Sequence, residues 1–187
     1  MPDADQSRVH IRDAGQADAA TISAIYNDTV STTTVAWTEE HESLATRLEW
    51  LEKQAEAGYP VLVAELGAES DAADGDPDGD ARVIGFASYG EFRNATKWPG
   101  YRFTVEHTIH IDAAHQGSGV GGTLLEALVA RATAAGLHVM IGAIDGENDG
   151  SIRFHERHGF AQVARLPAVG FKFGRWLDLV LVQRTLS

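Results

Sequence analysis

Six consecutive residues, Gly117-Ser118-Gly119-Val120-Gly121-Gly122, carry the most specific chemistry in this 187-residue chain. Glycine has no Cβ, so the run bares successive main-chain amides. The apolar-periodic segment that starts at Gly119 puts those amides at the positive end of a helix, and that arrangement binds phosphate. The letters fit G-x-G-x-x-G, the dinucleotide fingerprint, with Asp145 at the end of the next strand as the acid for a ribose. The placement does not fit. In dinucleotide folds the glycines follow a strand that opens the domain, whereas here Asp112-Ala-Ala-His-Gln116 intervenes and three strands come first. A P-loop fails too, because no Lys-Ser/Thr pair follows the last glycine.

Other reactive types bound the chemistry further. The chain holds 8 histidines, among them the pairs His155/His158 and His107/His110. Neither pair has a convincing third ligand, so no metal is expected. There is no cysteine, which removes disulfides, thiolate zinc sites and any acyl-cysteine intermediate. The 27 acidic residues outnumber the 15 basic ones, for a net charge of -12. That mean field repels a polyanion, so no nucleic-acid partner is expected. Apolar runs are only a few residues long and the first ten residues have no apolar stretch. No membrane partner is expected, and a cytoplasmic protein is.

The elements that must position these groups follow from periodicity. Residues 8–13 alternate as a strand, and Ile22, Ile25, Tyr26 and Val30 recur at helical spacing. Leu44, Leu48, Leu51 and Ala55 do the same in a helix that stops at Gly58. Strands are expected over 60–65, 83–92, 103–112 and 138–144, with helices over 119–135 and 151–158. The last two strands are expected over 160–165 and 177–182. The length suits one domain over residues 1–187, with 1–7 a flexible terminus and 67–80 an exposed acidic loop insertion. The order is β-α-α-β-β-β-α-β-α-β-β.

Gln116-x-x-Gly119-x-Gly121, after a strand and opening a helix, resembles the pyrophosphate loop of the GNAT acyltransferases. Asn148-Asp-Gly-Ser151-Ile-Arg-Phe-His155-Glu-Arg-His-Gly159-Phe160 resembles that family's second CoA-contacting segment. Thr104-Val-Glu106-His-Thr-Ile109-His-Ile111 resembles its central strand. Tyr26-Asn27, Gly58-Tyr-Pro-Val-Leu-Val63 and Lys172-Phe-Gly-Arg-Trp-Leu-Asp178 narrow the likeness to the branch of phosphinothricin and methionine-sulfone N-acetyltransferases.

The resemblance implies an α/β (α+β) GNAT fold: a central mixed, mostly antiparallel sheet, splayed at its middle and flanked by helices. It implies acetyl-CoA as cosubstrate and direct transfer to an amine. The pyrophosphate would lie on the amides of Gly117, Ser118, Gly119, Val120, Gly121 and Gly122 beside Gln116, with Asn148 and Ser151 contacting CoA. The pantetheine arm would pair with the strand edge at Ile109, His110 and Ile111. Glu106 stands where the family carries its general base; read from the strand alone, it belongs to a solvated face. His155 stands where many relatives have a tyrosine that protonates the thiolate, and a structural histidine is the equal alternative. Glu91-Phe-Arg-Asn-Ala95 matches the amino-acid-contacting loop, which points to Arg93, Asn94 and Ala95, with Arg102 the second guanidinium for a carboxylate. Trp37 and Phe92 are expected to wall the side-chain pocket. Lys172 to Asp178 would shape the active-site rim or a dimer interface, and a homodimer is expected. The implied substrate is a small L-amino acid or a toxic analogue such as methionine sulfone, methionine sulfoximine or phosphinothricin. A protein N-terminus, a polyamine, or a non-catalytic acyl-CoA-binding role remain as alternatives.

Overall fold

A computed structural model describes residues 9–67 and 81–186. The expected flexible terminus and residues 68–80 of the expected acidic loop lie outside them. The chain runs β1 (Val9–Asp13), α1 (Ala19–Thr32), α2 (Leu44–Glu56), β2 (Val61–Leu66), β3 (Arg82–Glu91) and β4 (Thr104–Ile111). It continues through α3 (Val120–Ala134), β5 (Val139–Asp145), α4 (Asp149–Arg157), β6 (Ala161–Lys172) and β7 (Arg175–Thr185). The strands form one seven-stranded sheet in the order β1-β2-β3-β4-β5-β7-β6. Every neighbouring pair is antiparallel except β4 and β5. This is the mixed, mostly antiparallel open sheet that the resemblance implied.

Helices cover both faces, which is why β2 and β3 read as near-continuous apolar runs rather than alternating ones. On one face α3 buries Val120, Leu124, Leu125, Leu128, Val129 and Ala132 against Leu62, Ile84, Met140 and Val180. Each of those leucines stabilises the fold by about 1.5–3 kcal/mol. On the other face Ile22 and Ile25 of α1 and Leu51 of α2 close over Val61, Val63 and Phe86.

Helix α1, whose start the spacing of Ile22, Ile25, Tyr26 and Val30 leaves open, begins at the fully buried Ala19. The last two strands are far longer than the expected 160–165 and 177–182, and they meet in a tight hairpin. Phe173 and Gly174, at φ 50° and 74°, form its two-residue turn. The edge strand β6 hid its length because irregularities at Gln162/Ala164 and Leu166/Gly170 break its alternation.

Candidate active site

The parallel pair that breaks the sheet's pattern also opens it. β4 and β5 pair only through Thr104↔Val139, Val105↔Met140 and Glu106↔Ile141. Beyond that point β5 stays paired with β7 to Asp145, and β4 stays paired with β3 to Ile111. From His107 to Ile111 the edge of β4 that faces β5 therefore has no strand partner among the described residues. Main-chain donors and acceptors left there need another extended chain or water.

A cleft of about 930 Å³ runs from this opening to the glycine run. Ile109, Ile111, Gln116, Gly117, Gly119, Gly121 and Gly122 line one side, and Asn148, Ser151 and His155 the other. The glycines have separate roles. Gly117 and Gly119 sit at φ 80° and 91°, where a side chain is strained, and Gly119 is the N-cap of α3. Gly121 is helical, and a Cβ there would lie 3.7 Å from Phe154 and 3.8 Å from Ile111, in ordinary contact. Its bareness leaves room in the cleft. The side chains of two expected contacts point elsewhere: Val120 is buried in the core, and Ser118 Oγ donates to the His115 carbonyl. Val120 can serve a ligand in the cleft only through its main chain. Across the cleft Asn148 Oδ1 accepts from the Ser151 amide at 3.0 Å and so caps α4.

Alternation along β4 sends Glu106, Thr108 and His110 to the α1/α2 face and His107, Ile109 and Ile111 to the α3/α4 face. Glu106 is exposed, yet neighbouring groups strip enough water to hold its carboxyl above the ordinary value. His110 does not reach the cleft with its side chain; it stacks on Phe86 with centroids 5.0 Å apart and meets Tyr26 edge-on. Burial, helped by the charge of Arg47, lowers its pKa to about 4. His110 can serve a ligand in the cleft through its main chain alone.

His155 is buried at the inner end of the cleft. Its Nδ1 lies 2.7 Å from the Ser151 carbonyl and therefore carries the hydrogen. Its Nε2 is a buried lone pair with no partner among the described residues. Burial lowers its pKa. Against it stacks His107, a residue that the sequence did not single out for this role. Neither ring nitrogen of His107 has a hydrogen-bond partner among the described residues, and burial lowers its pKa to about 3. A Cβ at Gly142 would come within 2.9 Å of His107 Nε2, so glycine on β5 makes room for that ring. Phe154 and Val35 also line the cleft and were missed. Phe154 had a signal, being three residues after Ser151 on one helix face; Val35 had none.

The residues expected to hold a substrate carboxylate lie in the loop between β3 and β4. Arg93 and Asn94 both take left-handed conformations, at φ 57° and 50°. Strain at consecutive non-glycine residues is characteristic of functional loops. The Arg93 guanidinium lies over Phe92, 5.9 Å from its centroid, with no ion-pair partner among the described residues. Arg102 is committed locally: it donates to the Pro99 carbonyl and covers Phe103 at 4.5 Å. Ala95 is half-buried beside Asn94. Trp37 and Phe92 pack on different partners, Phe92 against Tyr101 and Trp37 against Gly170 of β6. A methyl at Gly170 would sit 2.3 Å from two Trp37 ring carbons. The described residues contain no cluster of three His, Cys, Asp or Glu suited to a metal, and no helix long and apolar enough to cross a membrane.

Comparison with known proteins agrees with this geometry. The profile of the Acetyltransferase (GNAT) family matches residues 22–160. The L-methionine sulfoximine/L-methionine sulfone acetyltransferase of Pseudomonas aeruginosa is 47% identical over 177 residues, covering 95% of this chain and 94% of that protein. The phosphinothricin N-acetyltransferase of Alcaligenes faecalis is 35% identical, covering 91% of this chain and 79% of that protein. Among solved structures, yncA from Salmonella typhimurium, determined with its cofactor acetyl-CoA, superposes with a TM-score of 0.85 at 40% identity. That match covers 96% of this chain and 95% of the other.

Proposed function

Because the chain belongs to the GNAT acetyltransferase family, we propose that it transfers the acetyl group of acetyl-CoA to the α-amino group of a small L-amino acid or a toxic analogue. Methionine sulfone, methionine sulfoximine and phosphinothricin are the leading candidates. One observation carries the reading: a bare strand edge at His107–Ile111 and a glycine cradle at Gly117–Gly122 open onto the same cleft. The cradle suits a diphosphate and the edge suits an amide-bearing tail. Coenzyme A has both.

The acyl thioester supplies the electrophilic carbonyl. The chain's residues then have three tasks. Glu106 takes a proton from the incoming ammonium, directly or through water, and its raised pKa narrows the gap to an amine. A main-chain amide on the β4 edge donates to the carbonyl oxygen as it gains charge. The new C–N bond forms as the C–S bond breaks, and the thiolate must regain a proton. His155 serves that step only after its Nε2 has itself taken a proton, since its Nδ1 hydrogen is held by Ser151. Arg93 pairs with the substrate carboxylate.

The β6–β7 hairpin exposes Val169, Phe171, Phe173 and Trp176, and we assign this strip to contact with a second copy of the chain. The cytoplasm, where acetyl-CoA is available, is the proposed location. The test is a substrate panel followed by thiol release from acetyl-CoA. Methionine sulfone and phosphinothricin should turn over, whereas turnover of only spermidine or a peptide N-terminus would reject the amino-acid assignment. Sedimentation equilibrium checks the dimer.

A further inference from the structure

Lys172 is the most buried charge in the described chain. It shows 0% exposure at the end of β6. Its Nζ donates to the carbonyls of Val30, Thr33 and Ala36, each at 2.7 Å. Three acceptors converging on one point match the three donors of an ammonium; a planar guanidinium would not fit them. Val30 lies in the last turn of α1, at the negative end of its dipole, which further favours a cation. No carboxylate pairs with it among the described residues. The Glu39 carboxylate favours the charge from beyond ion-pair range and the Phe173 ring centroid lies 4.6 Å from Nζ. Among the described residues the three carbonyls alone accept its hydrogens, so it serves the segment that supplies them.

That segment, residues 33–37, forms a strap over the cofactor cleft. Thr34 Oγ1 donates to Asp145 Oδ2 at the end of β5. Val35 lines the cleft together with Ile109 and Ile111. Trp37 is seated on Gly170. The strap has no helix or strand of its own, and two of the three Lys172 acceptors, Thr33 and Ala36, bracket Thr34 and Val35.

We propose that Lys172 is a positioning residue whose ammonium seats the 33–37 strap so that Val35 closes the cleft over coenzyme A. The inference rests on the acetyl-CoA reading above. Without the ammonium, three carbonyls face one another in a buried space and the strap lifts. A strap seated only about a tenth of the time weakens apparent affinity about tenfold.

Calorimetry with coenzyme A on the wild-type chain comes first; no binding there rejects the acetyl-CoA reading itself, and this inference with it. Given wild-type binding, Lys172→Met should raise the Kd for coenzyme A and the KM for acetyl-CoA by about tenfold while kcat at saturation stays within about threefold. The chain has no cysteine, so Lys172→Cys can be alkylated at that site alone with 2-bromoethylamine in denaturant and refolded. The resulting aminoethyl thioether carries an ammonium at lysine's length and should restore the wild-type Kd. Folded Lys172→Met with wild-type affinity, or alkylated and refolded protein that still binds weakly, overturns the proposal. If Lys172→Met does not fold, the wild-type protein decides. Coenzyme A should slow amide exchange over residues 33–37, and unchanged exchange there overturns it.

Discussion

The imidazoles of His107 on β4 and His155 on α4 stack with centroids 5.1 Å apart and planes 29° from parallel. Neither can hold a charge easily, because burial opposes the imidazolium of each. The consequence for stability has a definite sign. An unfolded chain protonates these rings below about pH 6.5, while the folded chain holds His107 neutral to about 3 and His110 to about 4. Their contribution is fully present above pH 6.5 and is lost progressively as pH falls toward those values. Unfolding free energy should therefore drop by up to about 1.4 kcal/mol per pH unit for each buried ring. Denaturant titrations between pH 7 and 4.5 check this. His107→Phe should flatten the slope by one proton, and an unaltered slope would show that His107 is solvated in the folded state.

The side chain of Glu106 leaves β4 on the face opposite Ile109 and Ile111, so its proposed role as base for the amine predicts an effect on turnover without one on cofactor binding. Glu106→Gln should lower kcat by roughly 100-fold or more, the scale of a lost general base, with the Kd for coenzyme A unchanged. In the wild type kcat should rise with pH through a carboxylate displaced upward from its usual range, because the base must be ionised to act. A variant that keeps its turnover would take Glu106 out of the mechanism.

Periodicity was enough to read most of this scaffold. Helix α3 was legible because Val120, Leu124, Leu125 and Leu128 recur on one face and Gly136 stops the run. The two faces of β4 follow from parity, which groups Glu106 with His110 and opposes them to Ile109. The missing features are those that local chemistry does not encode. A φ of 50° at Phe173 is unexpected for an aromatic residue, so the long β6–β7 hairpin was cut short. Lys172 meets Val30 across 142 residues of sequence, and no pattern near either residue announces it. The sequence offers His107 only as half of a His107/His110 pair, and its burial depends on the absence of a side chain at Gly142 on another strand.

The glycine run separates backbone strain from ligand access. Gly119→Ala places a Cβ at φ 91° and should cost about 1–2 kcal/mol of stability while tilting the first-turn amides. Gly121→Ala meets only ordinary contacts in the helix and should hold or raise stability, by about 0.4–1 kcal/mol. Its methyl still enters the cleft. If the cradle holds a diphosphate, Gly121→Ala will fold as well as the wild type yet bind coenzyme A more weakly. Thermal unfolding together with calorimetry separates the two, and undiminished affinity in Gly121→Ala would mean that the diphosphate lies elsewhere.

Arg93 and Arg102 flank the same loop, and their local bonding tells them apart. Arg102 gives a hydrogen bond to Pro99 and covers Phe103, so it helps shape the loop. Arg93 is held at φ 57° beside Asn94 at φ 50°, over Phe92, without an acidic partner among the described residues. The proposed pairing of Arg93 with the substrate carboxylate would supply the counter-charge that the described residues do not. Arg93→Ala should raise the KM for an amino acid by roughly 10- to 100-fold, the worth of a charge-assisted pair at about 1.5–3 kcal/mol. The KM for acetyl-CoA should not move. The amide of the same amino acid, which lacks the carboxylate, should lose little more in the variant than in the wild type. An equal loss for acid and amide would show that Arg93 orders the loop rather than reading the substrate's charge.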